Sequence, residues 1–137
     1  MSTSEFPITI YHNPACGTSR NALAMVEAAG YEPQIVEYVK VGWTRAQLED
    51  LLGRMGVAAR DIMREKGTPA IDLGLTDPGV GDEAILTAML EHPILVNRPI
   101  VVTPMGVKLC RPSEVVLDLL GRKPDSFTKE DGEVVRL

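Results

Sequence analysis

The sequence lacks the features that mark several large classes of protein. It has only two cysteines in 137 residues, too few for a disulfide scaffold, so we expect free thiols. No apolar run approaches the roughly 20 residues of a membrane-spanning helix, and residues 1–7 carry no basic group of the kind that opens a secretory signal. The net charge of −5 leaves no basic surplus for binding a phosphate backbone. We therefore predict a cytoplasmic protein that binds neither membrane nor nucleic acid.

The first third of the chain has the pattern of a β-α-β unit. Side chains over residues 8–11 follow the alternating pattern of a strand, and these residues are β-branched or aromatic, which predicts a strand. A helical pattern follows over about 17–29, and residues 34–39 predict a second strand. Such a unit pairs its two strands in parallel through a right-handed crossover.

The middle of the chain is predicted to be helical. Thr44 and Gln47 have the spacing of a capping box, and apolar residues follow at positions i, i+3, i+4 and i+7. A short helix is predicted over 58–64 and a loop over 65–81. Asp82 is then predicted to cap another helix.

The last third predicts a β-β-α arrangement. A strand over 100–103 and a short partner over 107–109 are followed by a helix with Pro112 near its first turn. Cys110, at the end of these strands, is predicted to be a packed, inert thiol. The polar tail over 122–137 is expected to be loose.

This order of elements predicts an α/β, thioredoxin-like fold with a mixed central sheet and a helical region inserted at about 44–92. Hydrophobic residues make up 45% of the chain and charged residues 24%, close to globular averages, and we find no internal repeat. A chain of this length fits one domain, so we predict a single domain over 1–137.

Cys16 stands where the first predicted strand gives way to a helix. Free backbone N–H groups and the positive end of the helix dipole favour a thiolate there, so we predict a pKa below the usual ~8.5. Thr18 and Ser19 offer hydroxyl donors, and Gly17 leaves room for a ligand. His12 offers a positive charge if it is protonated. The alternative is that Cys16 is merely a small buried residue and that His12 only stabilises the loop.

If Cys16 attacks an anion, the neutralising charge must come from distant arginines. A phosphate-binding loop of the tyrosine-phosphatase kind requires a longer spacing than the one between Cys16 and Arg20. A planar guanidinium binds a tetrahedral oxyanion through paired hydrogen bonds. Three arginines at the ends of predicted elements are candidates: Arg64, Arg98 and Arg111. The alternative is that all three form ordinary surface ion pairs.

Two long stretches and one short one carry a family resemblance. They read "ITIYHNPACGTSRN" at 8–21, "HPILVNRPIVVTPMGVKLCRPSEVVLDLL" at 92–120 and "FTKEDGE" at 127–133. In these stretches the chain resembles the glutathione- and glutaredoxin-coupled arsenate reductases of bacteria, of the ArsC type. The resemblance extends over roughly residues 8–133 and implies a thioredoxin-like oxidoreductase that acts in arsenic resistance and detoxification.

The resemblance also implies roles for individual residues. Cys16 falls on the nucleophile of the family, and Pro99 falls on a cis-proline that faces the nucleophile. Three positions match the arginines that bind the oxyanion: Arg64, Arg98 and Arg111. Two match residues that help to hold the thiolate: His12 and Ser19.

The reaction that the resemblance implies needs one protein thiol. Cys16 attacks arsenate and expels water, glutathione reduces the adduct from As(V) to As(III), and glutaredoxin resolves the disulfide that remains. Glutathione is then a co-substrate, and no bound cofactor or metal is required. Two alternatives of the same fold are a glutathione-dependent thiol reductase and a redox-sensing regulator that binds RNA polymerase. The three arginines argue against the first, and Ser19, in place of the second cysteine of a C-x-x-C pair, argues against the second.

Overall fold

A four-stranded mixed sheet forms the centre of the fold. The computed structural model describes residues 6–121, 126–128 and 134–136. The strands of the sheet are β1 (Thr9–Tyr11), β2 (Gln34–Val36), β3 (Ile100–Thr103) and β4 (Gly106–Leu109). Their order is β2-β1-β3-β4, in which β1 pairs in parallel with β2 and the other pairs are antiparallel. The predicted α/β, thioredoxin-like order with a mixed sheet is confirmed.

The crossover helix α1 (Gly17–Ala28) supplies one wall of the core. Its inner face buries residues three and four positions apart: Ala22, Met25 and Val26. They join a cluster of apolar side chains that includes Ile10, Val101 and Leu119. Fully burying one such side chain contributes about 1.5–3 kcal/mol. This cluster therefore fixes the start of α1 at the end of β1.

Residues Tyr38–Asn97 form a second compact unit, and the remaining described residues belong to the first. The second unit contains α2 (Tyr38–Val41), α3 (Arg45–Met55), α4 (Asp82–Glu91) and the 3-10 helices Ala59–Ile62 and Pro93–Leu95. It is longer than the predicted insertion at 44–92, and the short helix predicted over 58–64 is the first of the 3-10 helices. That the whole chain is one domain stays a prediction. Within the described residues, no helix has the length and apolar character that crossing a membrane requires.

The capping box predicted at the start of α3 is confirmed. Thr44 Oγ1 accepts a hydrogen bond from the N–H of Gln47 at 3.1 Å, and Gln47 Oε1 accepts one from the N–H of Thr44 at 2.8 Å. Gly56 ends the helix with a φ of 69°, a conformation that favours glycine. Local sequence signals therefore define both ends of this helix.

Two predicted element ends are wrong because tertiary contacts override the local pattern. The strand predicted over 34–39 ends at Val36, since Tyr38 begins α2, is fully buried and donates its hydroxyl to the carbonyl of Val96 at 2.7 Å. Asp82 does not cap α4. It is the first helical residue, and its carboxylate accepts a hydrogen bond from the N–H of Ala59 at 2.7 Å.

The end of the chain also differs from the prediction. The last helix is a 3-10 helix, Ser113–Leu119, with Pro112 as its N-cap. Two adjacent β-branched valines in this segment lower its preference for an α-helix. The hydroxyl of Thr103 donates to the carbonyl of Leu119 at 2.7 Å, so this carbonyl at the end of the 3-10 helix has a hydrogen-bond partner. Part of the tail that was expected to be loose forms an antiparallel pair, β5 (Ser126–Thr128) with β6 (Val134–Arg136). The rest of 122–137 lies outside the described residues.

Candidate active site

Cys16 lies at the N-terminal end of α1. It is the N-cap residue, with extended backbone angles (φ −104°, ψ 123°), and its carbonyl accepts a helical hydrogen bond from the N–H of Arg20 at 3.0 Å. The N–H of Cys16 donates to the carbonyl of Asn13 at 3.0 Å, which closes the turn after β1. Only 7% of Cys16 is exposed. The fold thus holds a nearly buried thiol at the positive end of a helix dipole.

Two arginines from the C-terminal part of the first unit approach this sulfur. Arg98 directly precedes Pro99 and β3, and Arg111 follows β4, so the β3–β4 hairpin brings them to one end of the sheet. Nη1 of Arg111 lies 3.7 Å from Sγ of Cys16 and donates to the carbonyl of Arg98 at 2.9 Å. Arg98 is only 9% exposed and interacts with the sulfur through its charge and a hydrogen bond. Both arginines thus lie beside the thiol.

These neighbours make Cys16 more acidic than a free thiol. Burial by itself raises the pKa of Cys16, because it disfavours the charged form. The backbone N–H of Ser19, the guanidinium of Arg111 and the charge of Arg98 act in the opposite direction and outweigh burial, so the net pKa is lowered. These donors therefore stabilise the thiolate form of Cys16.

His12 and Ser19 form a buried pair behind the thiol. Nδ1 of His12 lies 2.6 Å from Oγ of Ser19, and the same Oγ accepts a hydrogen bond from the N–H of Asn13 at 3.1 Å. Burial is the main cause that lowers the pKa of His12. The charge of Glu37 raises this pKa and the charge of Arg20 lowers it, and the net pKa is lowered, so the imidazole is neutral near pH 7. The structure thus gives His12 no positive charge to offer. The Ser19 hydroxyl bonds to His12 rather than to the sulfur, so Ser19 acts on Cys16 through its backbone N–H.

Comparison with known proteins identifies the family of this chain. The model of the ArsC family matches residues 11–119. The chain belongs to the ArsC family. An arsenate reductase of Rhizobium meliloti is 60% identical over 93% of this chain and 92% of its own length, and one of Escherichia coli K12 is 51% identical over the same shares. Among solved structures, an arsenate reductase from Vibrio cholerae superposes with a TM-score of 0.79 at 38% identity, covering 84% of this chain and 98% of the other.

Three further predicted residues of this ArsC family member, Gly17, Thr18 and Pro99, belong to the same unit as Cys16. Gly17 and Thr18 form the first turn of α1 and are half-buried, next to Cys16. Pro99 is buried, its bond to Arg98 is cis, and its carbonyl accepts a hydrogen bond from the N–H of Cys110 at 2.9 Å. That Pro99 faces the reacting sulfur stays a prediction.

Cys110 is a packed thiol. It is fully buried in the core, its Sγ donates to the carbonyl of Lys108 at 3.6 Å, and burial raises its pKa to about 12. A thiol in this environment is protonated and inaccessible at neutral pH. This agrees with the prediction that Cys110 is inert.

Arg64 belongs to the second unit. It follows the 3-10 helix Ala59–Ile62 and is half-buried. Its N–H donates to the carbonyl of Leu95 at 2.7 Å, and its own carbonyl accepts a hydrogen bond from the hydroxyl of Thr68 at 2.7 Å. These bonds hold the backbone of Arg64 in its own unit. That its guanidinium binds the oxyanion stays a prediction.

Sequence reasoning missed the part that Asn13 plays beside the site. Asn13 is buried and bonded to Ala15, Cys16 and Ser19, although in the sequence it merely follows the strand predicted over 8–11. The signal that could have found it is the Asn-Pro pair, because an asparagine side chain before such a turn often accepts the N–H two residues on.

The lowered pKa of Cys16 predicts alkylation at lower pH than for a free cysteine. Only the thiolate reacts with iodoacetamide, so the rate falls as the pH drops through the pKa, and a lower pKa moves this fall to lower pH. We expect the midpoint of the rate of Cys16 alkylation to lie below ~8.5. Mass spectrometry of the folded protein should find Cys110 unlabelled in the same samples. A midpoint at or above that of free cysteine contradicts the prediction.

Proposed function

We propose that this protein is an arsenate reductase that uses Cys16 as its nucleophile and glutathione and glutaredoxin as its reducing partners. The observation that carries the proposal is the approach of Arg111 to within 3.7 Å of a thiol whose pKa is lowered, with the buried Arg98 beside it. Family relatives named arsenate reductase at 51–60% identity support the same activity.

The two arginines suit arsenate because the substrate and the nucleophile are both anions. A thiolate that approaches a tetrahedral dianion is repelled unless fixed positive groups offset the charge. Arg98 and Arg111 provide two such groups at the sulfur, and guanidinium forks match the geometry of paired oxyanion oxygens. We propose Arg64 as the third arginine on the oxyanion.

The first step forms a bond between sulfur and arsenic. The Cys16 thiolate attacks arsenic, the As–S bond forms, and an arsenate hydroxyl leaves as water after taking up a proton. Arsenic is still As(V) in this thiolate ester. Arg98 and Arg111, which lie beside the sulfur, stabilise the charge on its remaining oxygens.

The second step transfers two electrons. The glutathione thiolate attacks the Cys16 sulfur, an S–S bond forms, and the As–S bond breaks with its electron pair going to arsenic, which leaves as arsenite, As(III). Two thiols are thereby oxidised to one disulfide. A glutaredoxin thiolate then attacks the glutathione sulfur of this disulfide and releases the Cys16 thiolate.

The structure supports an external source for the second thiol. Cys110 is fully buried and its pKa is about 12, so it cannot supply a resolving thiolate. Both cysteines of the chain are free. We accordingly propose that glutathione is a co-substrate rather than a bound cofactor, and that the protein works in the cytoplasm, where thiols are kept reduced.

A coupled assay tests the proposal. With glutathione, glutathione reductase and glutaredoxin present, we expect oxidation of NADPH that depends on arsenate. Omitting glutathione or glutaredoxin should abolish steady turnover, and phosphate should not replace arsenate. Absence of any arsenate-dependent rate would rule out the activity. Equal rates with thioredoxin and thioredoxin reductase in place of the glutathione components would overturn only the proposed coupling.

A further inference from the structure

Three polar groups of Asn13 form hydrogen bonds at the Cys16 turn. Its N–H donates to Oγ of Ser19 at 3.1 Å, its carbonyl accepts from the N–H of Cys16 at 3.0 Å, and its side-chain Oδ1 accepts from the N–H of Ala15 at 3.0 Å. Only 8% of Asn13 is exposed. One residue thus ties together the end of β1, the turn that carries the nucleophile and the first turn of α1.

These bonds lead directly to the groups that stabilise the thiolate. Ser19, which Asn13 holds by its hydroxyl, supplies the backbone N–H that favours the ionised sulfur. Cys16, which Asn13 holds by its N–H, carries that sulfur toward Arg111. The distance between donor and sulfur therefore depends on how tightly the turn over residues 13–16 is held.

We propose that Asn13 is a positioning residue for the Cys16 nucleophile, whose side-chain amide fixes the turn so that the sulfur stays beside the Ser19 N–H and the Arg111 guanidinium. This inference rests on the proposed function only for its effect on turnover. The roles predicted for His12 and Ser19 at the thiolate do not imply a role for Asn13, so this inference is separate from them.

Of the bonds made by Asn13, only the one to Ala15 depends on the side chain. Because Ala15 is exposed, water can replace the amide oxygen as the acceptor of its N–H. Loss of the side chain should therefore cost little stability. It should, however, let the turn adopt other conformations, in which the sulfur moves away from donors that act only over hydrogen-bond distances.

Two substitutions of Asn13 separate positioning from packing. Asn13→Leu keeps the size of the side chain and removes the acceptor, whereas Asn13→Ser restores a weaker acceptor for the N–H two residues on. For Asn13→Leu we expect the alkylation midpoint of Cys16 to rise by about one pH unit, which is a tenfold smaller thiolate fraction at a pH below both midpoints. At such a pH we expect kcat for arsenate to fall about tenfold with KM little changed, because the arginines that bind arsenate remain. Asn13→Ser should lie between Asn13→Leu and the unaltered protein in both measurements.

A matched control removes a side-chain hydrogen bond of similar type elsewhere. Thr44→Ala deletes the capping bond to the N–H of Gln47 in α3 and should leave the alkylation midpoint unchanged. An alkylation midpoint for Asn13→Leu equal to that of the unaltered protein overturns the proposal, and so does a rise that Asn13→Ser fails to reverse at all. Since alkylation needs no arsenate, a shifted midpoint in a protein without arsenate turnover would uphold the positioning role and reject only the proposed function.

Discussion

Cys16→Ser is expected to reduce arsenate-dependent NADPH oxidation by roughly 10³-fold or more, to the background of the coupled assay. A serine hydroxyl is not ionised at neutral pH and cannot form a disulfide with glutathione, so both the attack on arsenic and the transfer of electrons are lost. The fold should survive, because serine is a better helix N-cap than cysteine and the position is the N-cap of α1. Urea unfolding should therefore give a free energy of unfolding at least equal to that of the unaltered protein.

Cys110→Ala is the matched control for the loss of a thiol. It removes the other cysteine from a fully buried position and is expected to keep the arsenate turnover while it lowers the free energy of unfolding by about 1 kcal/mol, the cost of a small cavity. Loss of turnover in Cys110→Ala together with activity in Cys16→Ser would reverse our assignment of the nucleophile.

Arg98→Ala is expected to lower kcat/KM for arsenate by about 10²–10³-fold. Arg98 is only 9% exposed and acts on Cys16, so in the proposed mechanism its loss removes a positive charge that stabilises both the arsenate oxyanion and the thiolate. Raising the pH should recover only part of the rate, because it restores the thiolate but not the contact with arsenate. Arg111→Ala should behave in the same way, and Arg98→Lys should be intermediate, since lysine keeps the charge but not the paired donors.

A surface arginine provides the control for these substitutions. Arg54, on α3, is about half exposed, with its Nη1 3.8 Å from Oδ2 of Asp50. Arg54→Ala is expected to change the kinetics by less than twofold, because exposed ion pairs of this kind contribute little. If Arg98→Ala had kinetics as close to normal as those of Arg54→Ala, Arg98 would have to be regarded as a structural residue only.

Local signals predicted much of the scaffold, and tertiary contacts decided the remainder. The capping box at Thr44 and the position of Cys16 at a helix start depend on residues within four positions of each other, so they could be read from the chain. The length of β2 could not be, because it depends on the bond from Tyr38 to Val96, 58 residues away. The same limit explains why Gly81 rather than Asp82 is the N-cap of α4, because the carboxylate of Asp82 accepts its hydrogen bond from Ala59, 23 residues away.

The site itself could be predicted only in part from the residues. The residues next to Cys16 in the sequence predict an acidic thiol. The approach of Arg98 and Arg111 to this thiol depends on the β3–β4 pairing, and only the family resemblance predicts that approach. The sequence predicts that the hydroxyl of Ser19 supports the thiolate, because spacing does not reveal that a neutral His12 is buried against this hydroxyl. Polar side chains in a buried network are the hardest to assign from spacing alone.

The separation of 95 residues between Cys16 and Arg111 has a consequence for biosynthesis. At ribosomal speeds of roughly 5–20 residues per second, Cys16 is made about 5–20 seconds before Arg111 is added. During that interval the nascent chain carries a cysteine without the guanidinium groups that lower its pKa. The lowered pKa of Cys16 therefore reaches its full extent only after both arginines have been added, late in translation.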